Sequence, residues 1–99
     1  MTFQRIDIAA AEALIAQENA LVVDIRDPAS FSAGAIENAV HLDNTSVAAF
    51  LETADRRRPL IVCCYHGNLS QGAAEFFSGQ GFTRSCSLNG GYAAWARRP

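Results

Sequence analysis

The stretch Leu60-Ile61-Val62-Cys63-Cys64-Tyr65-His66-Gly67-Asn68-Leu69-Ser70 decides how the rest of the chain is read. Leu60 to Cys63 is a short apolar run of the kind that forms a strand buried on both faces. A glycine-containing loop follows, and Ser70 to Ser78 then reads as a helix with Ala73, Ala74, Phe76 and Phe77 available for packing. Strand, tight loop and helix put Cys64 where loop amides and the positive end of a helix favour negative charge beside the sulfur. An ordinary thiol, with a pKa near ~8.5, is only slightly ionised at neutral pH, and a helix N-terminus lowers it to between ~3.5 and ~7.5. Gly67 permits positive φ and close approach of an anion, and Asn68 tolerates the same angles. Inward-pointing amides would form an anion nest. A structural cysteine beside a polar turn has the same local pattern, so both readings stand at this level.

Working outward, strands alternate with helices. Arg5-Ile6 reads as a short strand, and Asp7 caps a helix from about Ile8 to Gln17 with Ile8, Ala11, Leu14 and Ile15 on one face. Leu21-Val22-Val23, ending in Asp24, is a second buried strand. Asp27-Pro28 is a cap followed by proline at the first helical position, and Gly34 cuts that helix short. Ala39 to Leu42 is a third strand, and Thr45 or Ser46 caps a helix to about Ala54 that buries Val47, Phe50 and Leu51. After Ser78, Gly79 and Gly81 end the helix that Ser70 begins. Ser85 to Leu88 is the last strand, Asn89-Gly90-Gly91 a turn, and Tyr92 to Arg97 a final helix anchored by Trp95. The alternation predicts an α/β domain with a mostly parallel sheet, and 99 residues suffice for one domain and not for two. In such sheets ligands bind beyond the carboxyl ends of the strands. Three loops lie there, Asp24 to Asp27, Cys64 to Leu69 and Asn89 to Gly91, and only the second carries a nucleophile.

Bulk properties exclude several classes. A net charge of −2 gives no electrostatic basis for binding nucleic acid. The run Arg56-Arg57-Arg58 reads as a solvated helix end and turn. No apolar run approaches the ~20 residues that span a membrane, and the first residues lack a signal-peptide core, so the expected location is the cytoplasm. Three cysteines, two of them adjacent, suit neither a disulfide framework nor a zinc site. No metal or other cofactor is expected. Neighbours on a strand face opposite sides, which makes Cys63 core and leaves Cys64 at the strand's exit. Cys86 reads as packing, His66 as a loop side chain and His41 as structural, while Asp24 and Arg26 read as a local ion pair or as partners of neighbouring loops.

Three segments resemble the single-domain rhodaneses, a family of thiosulfate sulfurtransferases, and are most similar to its GlpE type. Val22 to Gly34 (VVDIRDPASFSAG) is similar to the N-terminal signature, Cys64-Tyr65-His66-Gly67-Asn68 to the active-site loop, and Leu88 to Trp95 (LNGGYAAW) to the C-terminal signature. Their order and separation also fit. The resemblance implies a rhodanese-like three-layer domain over residues 1–99, with a central five-stranded parallel sheet flanked by helices. It further implies that Cys64 attacks the outer sulfur of thiosulfate, releases sulfite and carries a persulfide. The amides of Tyr65, His66, Gly67, Asn68, Leu69 and Ser70 would hold that persulfide. A thiophilic acceptor, either cyanide or a dithiol or thioredoxin-like carrier, would then remove the sulfur.

The sequence departs from the family in places. Leu69 stands where many rhodaneses carry arginine, Gln71 where the GlpE type often has lysine, and Ala35 where the N-terminal signature commonly has histidine. With no permanent cation in the loop, capture of the thiosulfate dianion should depend more on amides and the helix dipole. A rhodanese-fold phosphatase or arsenate reductase would need arginine six residues after the cysteine to clamp an oxyanion, and that position is Ser70. The reading from a different class is a rhodanese-like module that binds a protein without chemistry.

Overall fold

A computed structural model describes residues 2–99. The elements are β1 (Gln4–Ile6), α1 (Ile8–Glu18), β2 (Leu21–Asp24), α2 (Pro28–Ala33), β3 (Val40–His41), α3 (Val47–Thr53), β4 (Leu60–Cys63), α4 (Leu69–Gly79), β5 (Ser85–Leu88) and α5 (Gly91–Ala96). The strands form one five-stranded sheet in the order β1-β5-β4-β2-β3, and every pairing is parallel. From β2 the chain moves outward to β3, and from β4 it moves outward the other way to β5. The carboxyl ends of the adjacent strands β2 and β4 therefore flank the switch point where such sheets place ligands.

Alternation along the buried strands builds two cores. Val22, Ile61, Cys63 and Leu88 join Ala11 of α1 and Trp95 of α5 on one face. Val23, Leu60 and Val62 join Ala74 and Phe77 of α4 on the other, where Val47, Phe50 and Leu51 of α3 also pack. These are the three layers that the sequence led one to expect. Asp7 and Asp27 cap α1 and α2 as read, accepting from the amides of Ala10 and Ser30.

Two local expectations need correction. Ser46 occupies the cap position of α3, but neither its side chain nor that of Thr45 caps the helix. Asp43 takes over, its Oδ1 accepting from the amides of Thr45 and Ser46 at 2.9 and 3.2 Å. A carboxylate placed just upstream satisfies the turn before the helix starts, which frees the Ser46 hydroxyl to accept from the Asp43 amide at 3.0 Å. The arginine run is also more than a solvated turn. The Arg58 guanidinium donates to the Asn19 carbonyl at 2.7 Å and Arg56 donates to the Gln80 carbonyl at 3.1 Å, so both staple distant loops. Arg57 alone is left exposed, paired with Asp55 at 3.1 Å.

At the end of β2, Asp24 is fully buried and Arg26 is 6% exposed. The guanidinium meets the carboxylate through Nε at 3.1 Å and Nη2 at 2.9 Å, and Nη2 also donates to the Gly34 carbonyl at 2.7 Å. It lies 4.2 Å from the centroid of the Tyr92 ring, so one cation joins β2, the end of α2 and α5. The carboxylate beside it holds its ionisation even higher than usual for an arginine. Removing one member of such a pair strands the other charge in the interior, at a cost of about 3–5 kcal/mol. Arg26→Met should accordingly lower the unfolding free energy from urea titration by about 3 kcal/mol or more. A loss under about 1 kcal/mol would show that the pair does not organise this end of the sheet.

Candidate active site

Cys64 leaves β4 at the switch point, and its side chain is 1% exposed. The loop turns back over it so that two amides, those of Gly67 and Ser70, each donate to Sγ at 3.2 Å. Ser70 is the second residue of α4, and no side chain caps that helix at Asn68. The sulfur thus takes the place of the usual capping oxygen. The helix begins at Leu69, one residue earlier than its apolar periodicity implied, because the loop amides are already turned toward the sulfur.

Carbonyl groups leave that interior through a second set of bonds. The amides of Tyr92 and Ala93 at the start of α5 donate to the carbonyls of Cys64 and Tyr65 at 2.8 and 3.1 Å. The Gln71 side chain donates to the Gly67 carbonyl at 2.9 Å. Two glycines make the approach possible. Gly67 has φ +89°, and a Cβ there would lie 2.8 Å from the Gly90 nitrogen. Gly91 has φ +59°, and a Cβ there would lie 2.5 Å from the Cys64 carbonyl oxygen.

The three thiols have different electrostatics. Burial raises the pKa of Cys64, but hydrogen bonds from the hydroxyl and amide of Ser70 and from the amides of Gly67 and His66 more than offset it. The net direction is down, toward thiolate. The Ser70 hydroxyl lies 2.7 Å from that of Ser87 on β5, and both are fully buried. Cys63 points into the core beside Asp24, its neighbour across the β2–β4 ladder. Burial and then that carboxylate push its thiol up to about 12. Burial also raises Cys86, which lies on β5.

Among the remaining loop residues, Tyr65, His66, Asn68 and Leu69 are exposed. Tyr65 forms a clasp that the sequence did not indicate. Its hydroxyl donates to the Asp27 carboxylate and accepts from the Asp27 amide at 3.0 Å, tying the loop to the cap of α2. Bonds from the Ser30 hydroxyl, the Tyr65 hydroxyl and the Ser30 amide hold the Asp27 carboxyl well below the usual range. His41 donates from Nε2 to the Arg26 carbonyl at 2.6 Å, a structural bond behind the site. Among the described residues, no three His, Cys, Asp or Glu side chains gather as a metal would require.

The fully parallel five-stranded sheet, with a cysteine held by two amides at its switch point, is an α/β architecture suited to thiolate chemistry. Residues 7–98 match the rhodanese-like domain, and the chain belongs to that family. It is 47% identical over 95 residues to the thiosulfate sulfurtransferase GlpE of Vibrio cholerae, covering 96% of this chain and 90% of the relative. It is 54% identical over 95 residues to the thiosulfate sulfurtransferase GlpE of Pseudomonas aeruginosa, covering 95% and 84%. The fold is similar to that of a human single-domain sulfurtransferase, with a TM-score of 0.78 at 16% identity over 96% of both chains. A rhodanese-related protein of Thermoplasma volcanium superposes with a TM-score of 0.75 at 26% identity, covering 95% of this chain and 91% of that one.

Two predictions follow from the loop. At neutral pH iodoacetamide should modify Cys64 first, with Cys63 and Cys86 protected until the chain unfolds. The pH profile of that reaction should have its midpoint below the ~8.5 of a free thiol. Mass mapping of early modification to Cys63 or Cys86, or a midpoint at or above the free-thiol value, would refute it. Gly91→Ala should drive a methyl group into the carbonyls that hold the loop while leaving the sheet intact. We expect sulfur transfer to fall by about 100-fold, as displacement of a reacting group by ~1 Å commonly does. Circular dichroism should remain close to that of the wild type.

Proposed function

We propose that the chain is a thiosulfate sulfurtransferase, a single rhodanese domain acting in the cytoplasm, with Cys64 as its sulfur carrier. The observation that carries this reading is the convergence of the Gly67 and Ser70 amides on the Cys64 sulfur. A thiolate so held attacks the outer sulfur of thiosulfate. The new S–S bond forms as the bond to the sulfite sulfur breaks, and sulfite leaves with the bonding pair. The persulfide anion that remains carries its charge one atom further into the same nest of amides from Tyr65 to Ser70. Cyanide takes the terminal sulfur as thiocyanate, or a thiol or dithiol carrier of the thioredoxin kind takes it as a new persulfide, and the Cys64 thiolate is restored. This is covalent catalysis in two half-reactions.

The relatives named as thiosulfate sulfurtransferases support the donor. Three free thiols support a reducing compartment. No helix among the described residues is long and apolar enough to cross a membrane. Ser70 stands where a phosphate-handling relative would need arginine, and it is buried against Ser87 with no room for a guanidinium clamp.

Intact mass measurement after incubation with thiosulfate tests the reading. The wild type and Cys63→Ser should gain one sulfur atom and lose it on adding cyanide, while Cys64→Ser should gain none. Uptake by Cys64→Ser but not by Cys63→Ser would move the carrier to Cys63. No uptake by any form would favour a binding module.

A further inference from the structure

The polar side chains buried among the described residues are those of Asp24, Arg26, Ser70, Ser85 and Ser87, and each has a hydrogen-bond partner. Asp24 and Arg26 pair with one another. The two serines of β5 both face α4. Ser87 lies beside Val62 in the β4–β5 ladder, on the face where Val62 packs with Ala74 and Phe77, and Ser85 points to the same side. They meet the helix one turn apart. Ser85 donates to the Ala74 carbonyl at 2.7 Å, and the Ser87 hydroxyl lies 2.7 Å from that of Ser70. Valine suits a buried strand better than serine, and a buried hydroxyl is costly unless bonded, so both positions call for a reason.

The two serines differ in where their protons go. Ser85 faces a backbone carbonyl, which only accepts. Ser87 faces a second hydroxyl, which accepts and donates, and it makes no other side-chain hydrogen bond among the described residues. The pair holds two protons, and the bond between the oxygens uses one. If Ser70 donates, the Ser87 proton is left without an acceptor in a dry interior. If Ser87 donates, the Ser70 proton is free for the Cys64 sulfur, which already accepts from the Ser70 amide at 3.2 Å. The Ser70 hydroxyl is one of the groups that draw the Cys64 thiol toward thiolate. A protonated sulfur donating to Ser70 would reverse the pair and orphan the Ser87 proton. The pair therefore closes on an anion and not on a thiol.

Resting on Cys64 as the sulfur carrier, we propose that Ser87 is a positioning residue for sulfur transfer: its hydroxyl donates to Ser70 and commits the Ser70 proton to the Cys64 sulfur. No proton is transferred along this row. It aims a fixed dipole at the atom that carries the charge before attack on the donor and regains it when the acceptor removes the outer sulfur. Successive hydroxyls polarise one another, so a residue that does not touch the sulfur acts on it.

The pH midpoint of Cys64 alkylation by iodoacetamide reads the thiolate directly. Ser87→Ala should raise that midpoint by about half a unit to one unit. Ser70→Ala should raise it by at least as much. The double variant Ser70→Ala/Ser87→Ala should go no higher than Ser70→Ala alone, because Ser87 acts through Ser70. Ser85→Ala, which removes a similarly buried hydroxyl from the same strand, should keep the wild-type midpoint, and so should Ser87→Thr, which retains the hydroxyl. Persulfide formation from thiosulfate in Ser87→Ala should be about three- to ten-fold slower below the wild-type midpoint and approach the wild-type rate above the variant's own midpoint. An unchanged midpoint in Ser87→Ala, additive shifts in the double variant, or an equal shift in Ser85→Ala or Ser87→Thr would overturn the positioning role and leave Cys64 as the carrier. Absence of sulfur uptake by the wild type would overturn both.

Discussion

The amide hydrogen bonds from α5 to the carbonyls of Cys64 and Tyr65 are the constraint on which the site depends. A short loop has as many carbonyls as amides, and it cannot direct all its amides inward unless something else takes the carbonyls. Here the first turn of α5 uses its own unpaired amides for that purpose, and the Gln71 side chain takes the Gly67 carbonyl. Once the carbonyls are turned outward, the Gly67 and Ser70 amides have the sulfur as their acceptor. One anionic atom then completes the cap of α4. The energetics of helix termination and of thiolate stabilisation are therefore the same interaction seen from two ends.

Burial without hydrogen-bond donors on one side, and loop amides on the other, explain why two adjacent cysteines at the end of β4 differ so much. Cys63 shares its side of the sheet with the buried Asp24 carboxylate and stays protonated. Cys64 leaves the strand toward amides and is biased to the anion. The Arg26 guanidinium, which could have served an anionic substrate, neutralises Asp24 and fastens three elements instead. That placement leaves amides as the anion-binding groups of the loop.

Much of this was legible in the sequence because strong local rules agreed with the fold. The apolar runs at Val22 and Leu60, the Asp7 and Asp27 caps and the glycine turns are local signals, and each element appears close to where they put it. The opposite environments of Cys63 and Cys64 follow from strand alternation alone. Other features lay out of reach because their partners are distant in sequence. The Tyr65–Asp27 clasp joins residues 38 apart. The Asp43 turn was missed for a different reason: several nearby oxygens compete for the same amides, and their geometry decides among them.

The sequence by itself determined the α/β alternation, the location of the thiol at a strand's exit before a helix, and the lack of a cation in the loop that follows. These follow from periodicity and residue type, which act over a few positions. Only the tertiary structure decided that α5 would lie against the loop, that Arg26 would be spent inside the fold, and that the Ser87 hydroxyl would meet that of Ser70. Each of these depends on which strands are neighbours in the sheet, and the order β1-β5-β4-β2-β3 is set by the packing of two cores at once.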